Sequence, residues 1–272
     1  METIWETLSF PPALSGAELC VFKAEWTSVR EFTTTFERWL APGESARVAG
    51  TSHLRVRERF VLSRGILRLL LGRYIRCDPA RVDIVLEASG RPILGPSHGP
   101  GGLRWSLAHS HEAVVVALSH HLRVGIDLEY LGRPMHASEV AHRFFHANEA
   151  TRLDTLPEDG RTEAFFHYWT AKEAVLKATG LGLSGALDRC VVEYQPGAAS
   201  AIVHCAENDH VSPWHVAYLG PYPQYLAAIS AEGREWTYRC VDASRAFLNA
   251  LIEGHMGHDG PVPESRRPRK ND

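Results

Sequence analysis

The chain has 272 residues, 44% hydrophobic and 22% charged, enough for one or two packed cores and unlike a disordered or low-complexity protein. A formal charge of −3 and a pI near 6.6 speak against a general nucleic-acid or membrane-surface binder, so an anionic ligand must be met by local clusters such as Arg55, Arg57, Arg59, Arg64 and Arg68. The five cysteines form no CxxC pattern and no apolar stretch is long enough to span a membrane, from which we expect buried free thiols in a cytoplasmic protein.

In chain order, AELCVFKAEW (17–26) reads as a strand. A helix is predicted from about Leu54 to Ile75, where Phe60, Leu62, Ile66, Leu67, Leu69, Leu70 and Tyr74 give a broad apolar face and Asp78-Pro79 a stop. VDIVLE (82–87) is β-rich, and WSLAHSHEAVVVALS (105–119) reads as a strand, a turn and a second strand. LRVGIDLEYL (122–131) is the next strand, and alternation puts Asp127 and Glu129 on one face. Helices are expected over 139–153 and 163–179, separated by the loop LPEDGR, with Gly180, Leu181 and Gly182 ending the second. On that second helix Glu173 and Lys177, four apart, share a face. CVVEY (190–194) and WHVAYLGPYPQYLAAIS (214–230) are again β-rich, and from His255 onward the polar, Pro/Gly-rich segment reads as a disordered tail.

These elements follow one plan twice: strand, helical region, β-rich run, then a Trp-led pair of strands ending in Ala-φ-Ser. In this alignment SRGILR (63–68) stands against KEAVLK (172–177). The expected fold is therefore α+β, two similar halves of residues 1–121 and 122–250 related by pseudo-two-fold symmetry, followed by a tail at 255–272. Three carboxylates and a lysine able to converge suit a Mg²⁺ ion gripping a diphosphate, since Mg²⁺ takes a few carboxylate oxygens and leaves its other positions to water and phosphate. The chemistry suggested is transfer of a phosphate-linked group.

GRPIL around Arg91, SLAHS (106–110), GIDLE (125–129), RFFHANE (143–149) and WTAKEAVLKATGLGL (169–183) stand together in order. By these segments the chain resembles 4′-phosphopantetheinyl transferases of the surfactin-synthetase-activating type. The resemblance implies coenzyme A in a cleft between the halves and transfer of its 4′-phosphopantetheine arm to a serine of an acyl, aryl or peptidyl carrier protein, releasing adenosine 3′,5′-bisphosphate. It implies that Asp127, Glu129 and Glu173 hold Mg²⁺ or Mn²⁺. Glu173 is either only a ligand or also the base that takes the serine proton, directly or through a metal-bound water, with Glu149 the other candidate base, and Lys177 neutralises charge on the diphosphate or leaving phosphate.

For coenzyme A the resemblance points to Arg64, Arg91, His109, Lys172 and Lys177. Family members often carry a serine or threonine where this chain has Ala108, so only the backbone N–H there is left to meet a phosphate. Glu149 matches a glutamate near the active cleft, and an apolar patch near 139–160 is expected to dock the carrier protein. The chain is expected to be a monomer, because one polypeptide already supplies both walls of the cleft. The competing reading is a coenzyme A binding sensor or scaffold without transferase activity. A zinc site from His109, His111, His120 and His121 lacks HExxH and a third ligand at diagnostic spacing, and the glutamate-rich helix of a Nudix hydrolase is absent.

Overall fold

The computed structural model describes residues 3–99, 102–181, 187–207 and 210–256. Strand β1 (Glu18–Glu25) is buried on both faces, with Cys20, Phe22 and Ala24 in one core and Leu19 and Val21 in another. Short helices α1 (Trp26–Val29), α2 (Thr33–Glu37) and α3 (Pro42–Ala49) lead into α4 (Leu54–Ile75), the long helix expected from the apolar pattern. A small hairpin of β2 (Ile84–Leu86) and β3 (Pro92–Leu94) precedes the longer strands β4 (Leu103–Ser110) and β5 (Ala113–His120). The second series comprises β6 (Val124–Tyr130), α5 (Ala137–Phe144), α6 (Ala147–Asp154), α7 (Glu158–Thr179), β7 (Cys190–Glu193), β8 (Ser200–Glu207), β9 (His210–Leu219) and β10 (Tyr225–Ala231). The described chain ends with β11 (Thr237–Asp242) and α8 (Arg245–Met256).

Besides the β2–β3 hairpin, two larger sheets form among the described residues, ordered β11-β1-β5-β4 and β6-β10-β9-β8-β7. Because side chains alternate, each sheet buries one face under its long helix, α4 or α7, and the other against its partner sheet. The shared middle core is made of Leu19, Val21, Val115 and Ala117 from the first sheet and Val124, Ile126, Leu128 and Ile229 from the second. The arrangement is α+β, in the order helix, sheet, sheet, helix.

Five expectations are revised. The stretch 139–153 is two helices, because Phe145 and His146 are extended; the Phe145 ring is buried against Phe165, and His146 caps α6 in a box closed by Glu149. Helix α7 starts at Glu158, inside the segment read as a loop. Strand β11 and helix α8 do not extend the second series: β11 pairs parallel to β1, and Phe247, Leu248 and Leu251 fill the first core. Of the expected tail, residues 255 and 256 end α8 and the rest lies outside the described residues. Finally, Cys190 and Cys205 are opposite one another in the β7–β8 register, with Cα atoms 4.1 Å apart, and form a disulfide, whereas Cys20, Cys77 and Cys240 are free thiols.

The repeated plan also changes register. Both long helices have 22 residues and end in a left-handed residue, Arg76 (φ 54°) and Gly180 (φ 78°). Arg68 of α4, 1% exposed, is paired with Glu44 at the third position of α3 and donates to the carbonyls of Pro79 and Val82. Lys172 of α7, 0% exposed, is paired with Glu149 at the third position of α6 and donates to the carbonyls of Leu187 and Cys190. The structural counterpart of Arg68 is therefore Lys172, not Lys177. In each half a buried cation ties a capped short helix to the long helix and to the loop entering the next strand.

Candidate active site

Strand β6 lies so close to α7 that a Cβ on Gly125 would sit 1.9 Å from the carbonyl oxygen of Ala174. That approach brings the outward face of β6, bearing Asp127 and Glu129, against the face of α7 bearing Glu173 and Lys177. Lys177 Nζ donates to Asp127 Oδ1 at 2.7 Å and to the carbonyl of Ile126 at 3.1 Å. Asp127 Oδ2 is buried and has no hydrogen-bond partner. Glu129 Oε2 accepts from Ser110 Oγ at 3.1 Å, and its Oε1 is 3.3 Å from Arg133.

Burial, followed by the negative charge of Asp127, pushes the Glu173 carboxyl up to about 7 against the pull of Lys177. The same two causes raise Glu129. Three carboxylates thus face one another with too little positive charge between them. Among the described residues no three His, Cys, Asp or Glu side chains close into a metal cage as they stand. The unpartnered buried oxygen of Asp127 and the mutual repulsion of the acids are nevertheless what a cation held jointly with water and diphosphate would relieve.

Beside the acids opens a cavity of about 380 Å³ between α3, α4, the turn into β3, β4 and the end of α7. Its charged lining is basic, Arg47, Arg64, Arg91 and Lys177, with His109 beside them. Phe60, Leu67 and Trp105 supply apolar wall, and the guanidinium groups of Arg47 and Arg64 lie 4.7 and 5.6 Å from the Phe60 ring centre. Arg91 crosses the cleft: its Nη1 donates to the carbonyl of Ala178 at 2.8 Å, while its buried Nη2 has no partner. His109 lies edge-on to Trp26; partial burial and then the charges of Lys177 and Arg59 lower its pKa, which favours the neutral ring.

Of the residues singled out from sequence, the structure brings Asp127, Glu129, Glu173 and Lys177 together and sets Arg64, Arg91, His109 and Lys177 around one cavity. Two others stand elsewhere. Ala108 is 5% exposed and packs in the core between the sheets, because the alternation that turns Leu107 and His109 to the cavity turns it away. Lys172 is buried in its clamp, about a hundred degrees around α7 from Glu173, and has no route to a ligand.

Glu149 is likewise committed, accepting from Lys172 through Oε2 and from the Val192 N–H through Oε1. Arg47, Phe60 and Trp105 were missed. Phe60 read only as part of the apolar face of α4 and Trp105 only as the start of a strand, and for Arg47 the only signal was a lone arginine on a short amphipathic helix, which is ordinarily a solvated one.

Comparison with known proteins follows the same lines. The sequence profile of the 4′-phosphopantetheinyl transferase superfamily matches residues 123–230. The chain is 36% identical to the 4′-phosphopantetheinyl transferase HetI of Nostoc sp., over 66% of its own length and 73% of the relative's. It is 33% identical to a putative 4′-phosphopantetheinyl transferase of Synechocystis sp., over 57% and 63%. Identity to the 4′-phosphopantetheinyl transferase Sfp of Bacillus subtilis is 26%, over 74% and 86%.

Proposed function

The chain belongs to the 4′-phosphopantetheinyl transferases, enzymes that move the 4′-phosphopantetheine arm of coenzyme A to a carrier protein, and we propose that the reaction runs in the cleft where the basic cavity meets the carboxylates of β6 and α7. The observation that carries this is Lys177, whose ammonium lines the cavity and touches Asp127. One group thus joins the phosphate-binding wall to the acids.

In this reading Arg47, Arg64, Arg91 and neutral His109 hold the phosphates of coenzyme A, the arginines through paired N–H donors, and Phe60 and Trp105 supply apolar wall for the rest of the nucleotide. Asp127, Glu129 and Glu173 would hold a divalent cation, Mg²⁺ or Mn²⁺, which neutralises charge on the diphosphate when bound. Glu173 takes the proton of the carrier serine as its oxygen forms a bond to the β-phosphorus. The bond from that phosphorus to the bridging oxygen breaks, and adenosine 3′,5′-bisphosphate leaves while Lys177 offsets its charge. Exposed Phe144, flanked by Arg143 on α5, is the apolar feature on the stretch proposed to receive the carrier protein.

We assign the two halves to residues 17–121 and 122–231, with β11 and α8 returning to the first, and the active unit to a monomer. We infer a cytoplasmic setting from the use of coenzyme A. Among the described residues no helix is long and apolar enough to cross a membrane. The test is mass spectrometry of an apo carrier protein incubated with coenzyme A and Mg²⁺. The native chain adds the pantetheine arm, and Glu173→Gln slows loading by about 10²-fold or more. Unchanged carrier mass with the native chain would favour a coenzyme A sensor, and native-rate loading by Glu173→Gln would remove Glu173 as base.

A further inference from the structure

The free edge of β6 is met not by another strand but by two serines of β4, four residues apart. Ser106 Oγ accepts the N–H of Ile126 and Ser110 Oγ accepts the N–H of Tyr130, each at 3.1 Å, so hydroxyls stand where a neighbouring strand would place carbonyls. Ser110 has one further contact: its hydroxyl donates to Glu129 Oε2 at 3.1 Å. The direction follows from the carboxylate, which when ionised only accepts. On the other side of Glu129 stands Arg133, 3.3 Å from Oε1, with 44% of its side chain exposed and its guanidinium over the Phe166 ring. A guanidinium fork fits both oxygens of a carboxylate. Without the serine donor, Arg133 is left as a competing partner free to take both oxygens of Glu129.

We propose that Ser110 is a positioning residue that reaches across the seam from the first sheet and holds the Glu129 carboxylate toward Asp127 and Glu173 for cation binding. This rests on the reading that Glu129 is a cation ligand. It gives β4 two tasks on successive residues: His109 turns to the substrate cavity and Ser110 to the acids. Hydrogen bonds that orient a metal ligand commonly govern affinity for the ion as strongly as a weak ligand does.

The test is Mn²⁺ binding to the full chain without coenzyme A, followed by electron paramagnetic resonance or calorimetry, with thermal melts in parallel. Ser110→Ala is expected to weaken Mn²⁺ by at least about tenfold, and Ser110→Thr to restore it to within about twofold. Ser106→Ala breaks the matching backbone contact without touching a carboxylate, so it should lower the melting temperature and leave Mn²⁺ affinity alone. Adding Arg133→Ala to Ser110→Ala removes the competing partner and should recover affinity. Should Ser110→Ala fail to fold, Ser110→Cys, similar in shape and a poor donor, must show the same loss. Native Mn²⁺ affinity in Ser110→Ala, with Glu129→Gln weakened, overturns the role of Ser110 alone. Native affinity in Glu129→Gln as well overturns the cation-site assignment beneath it.

Discussion

Glu173 is 4% exposed and has two acids for neighbours, so ionising it in the cation-free protein is costly. A carboxyl moved from 4.5 to about 7 disfavours folding by about 3 kcal/mol once ionised. The unfolded chain releases this proton first, so the loss begins as pH rises through about 4.5 and is complete above about 7. A divalent cation should therefore raise the melting temperature more at about pH 8 than at about pH 6, and Glu173→Gln should abolish that difference in a thermal-shift titration. The spacing of Glu173 and Lys177 was legible in sequence because helix geometry alone puts i and i+4 together. The cost of charging Glu173 was not, since it comes from what packs over it.

Lysines five positions apart on α7 have opposite fates, and the reason lies in neighbouring elements. Lys172 is locked by α6 and the loop into β7, whereas Lys177 faces β6 and the cavity. Lys172→Ala leaves Glu149 buried without its cation and should cost about 3–5 kcal/mol in denaturant unfolding. Lys177→Ala should unfold nearer to the native midpoint while loading of a carrier falls by about 10²-fold. If Lys172→Ala kept native stability, the clamp would not be the tie described above. A KE dipeptide gives no sign of which residue is structural; only the position of Glu149 decides it.

At the scale of the whole molecule, the chain closes on itself. β11 supplies the outer partner of β1, and Val241, Phe247, Leu248 and Leu251, each 3% exposed or less, belong to the first core. Four such side chains at roughly 1.5–3 kcal/mol each amount to much of an ordinary domain's stability of about 5–15 kcal/mol. A chain truncated after residue 231 should lose cooperative unfolding in the first half, seen as loss of the main calorimetric transition. A native-like transition in that truncation would show β11 and α8 to be dispensable.

The alternation of β6, the four-residue spacing on α7 and the order of the short motifs are properties of local backbone periodicity, so residues in sequence were enough to place Asp127, Glu129, Glu173 and Lys177 on their faces. The long helix at Leu54–Ile75 was readable for the same reason, an apolar pattern repeated with helical period. Which face meets which was settled by packing across the chain: the approach allowed by Gly125, the burial of Ala108 between sheets, the clamp around Lys172 and the arrival of Arg47 at the cavity. Periodicity is set by neighbouring bonds, but a contact between distant residues exists only once the sheets and helices have closed around a shared core.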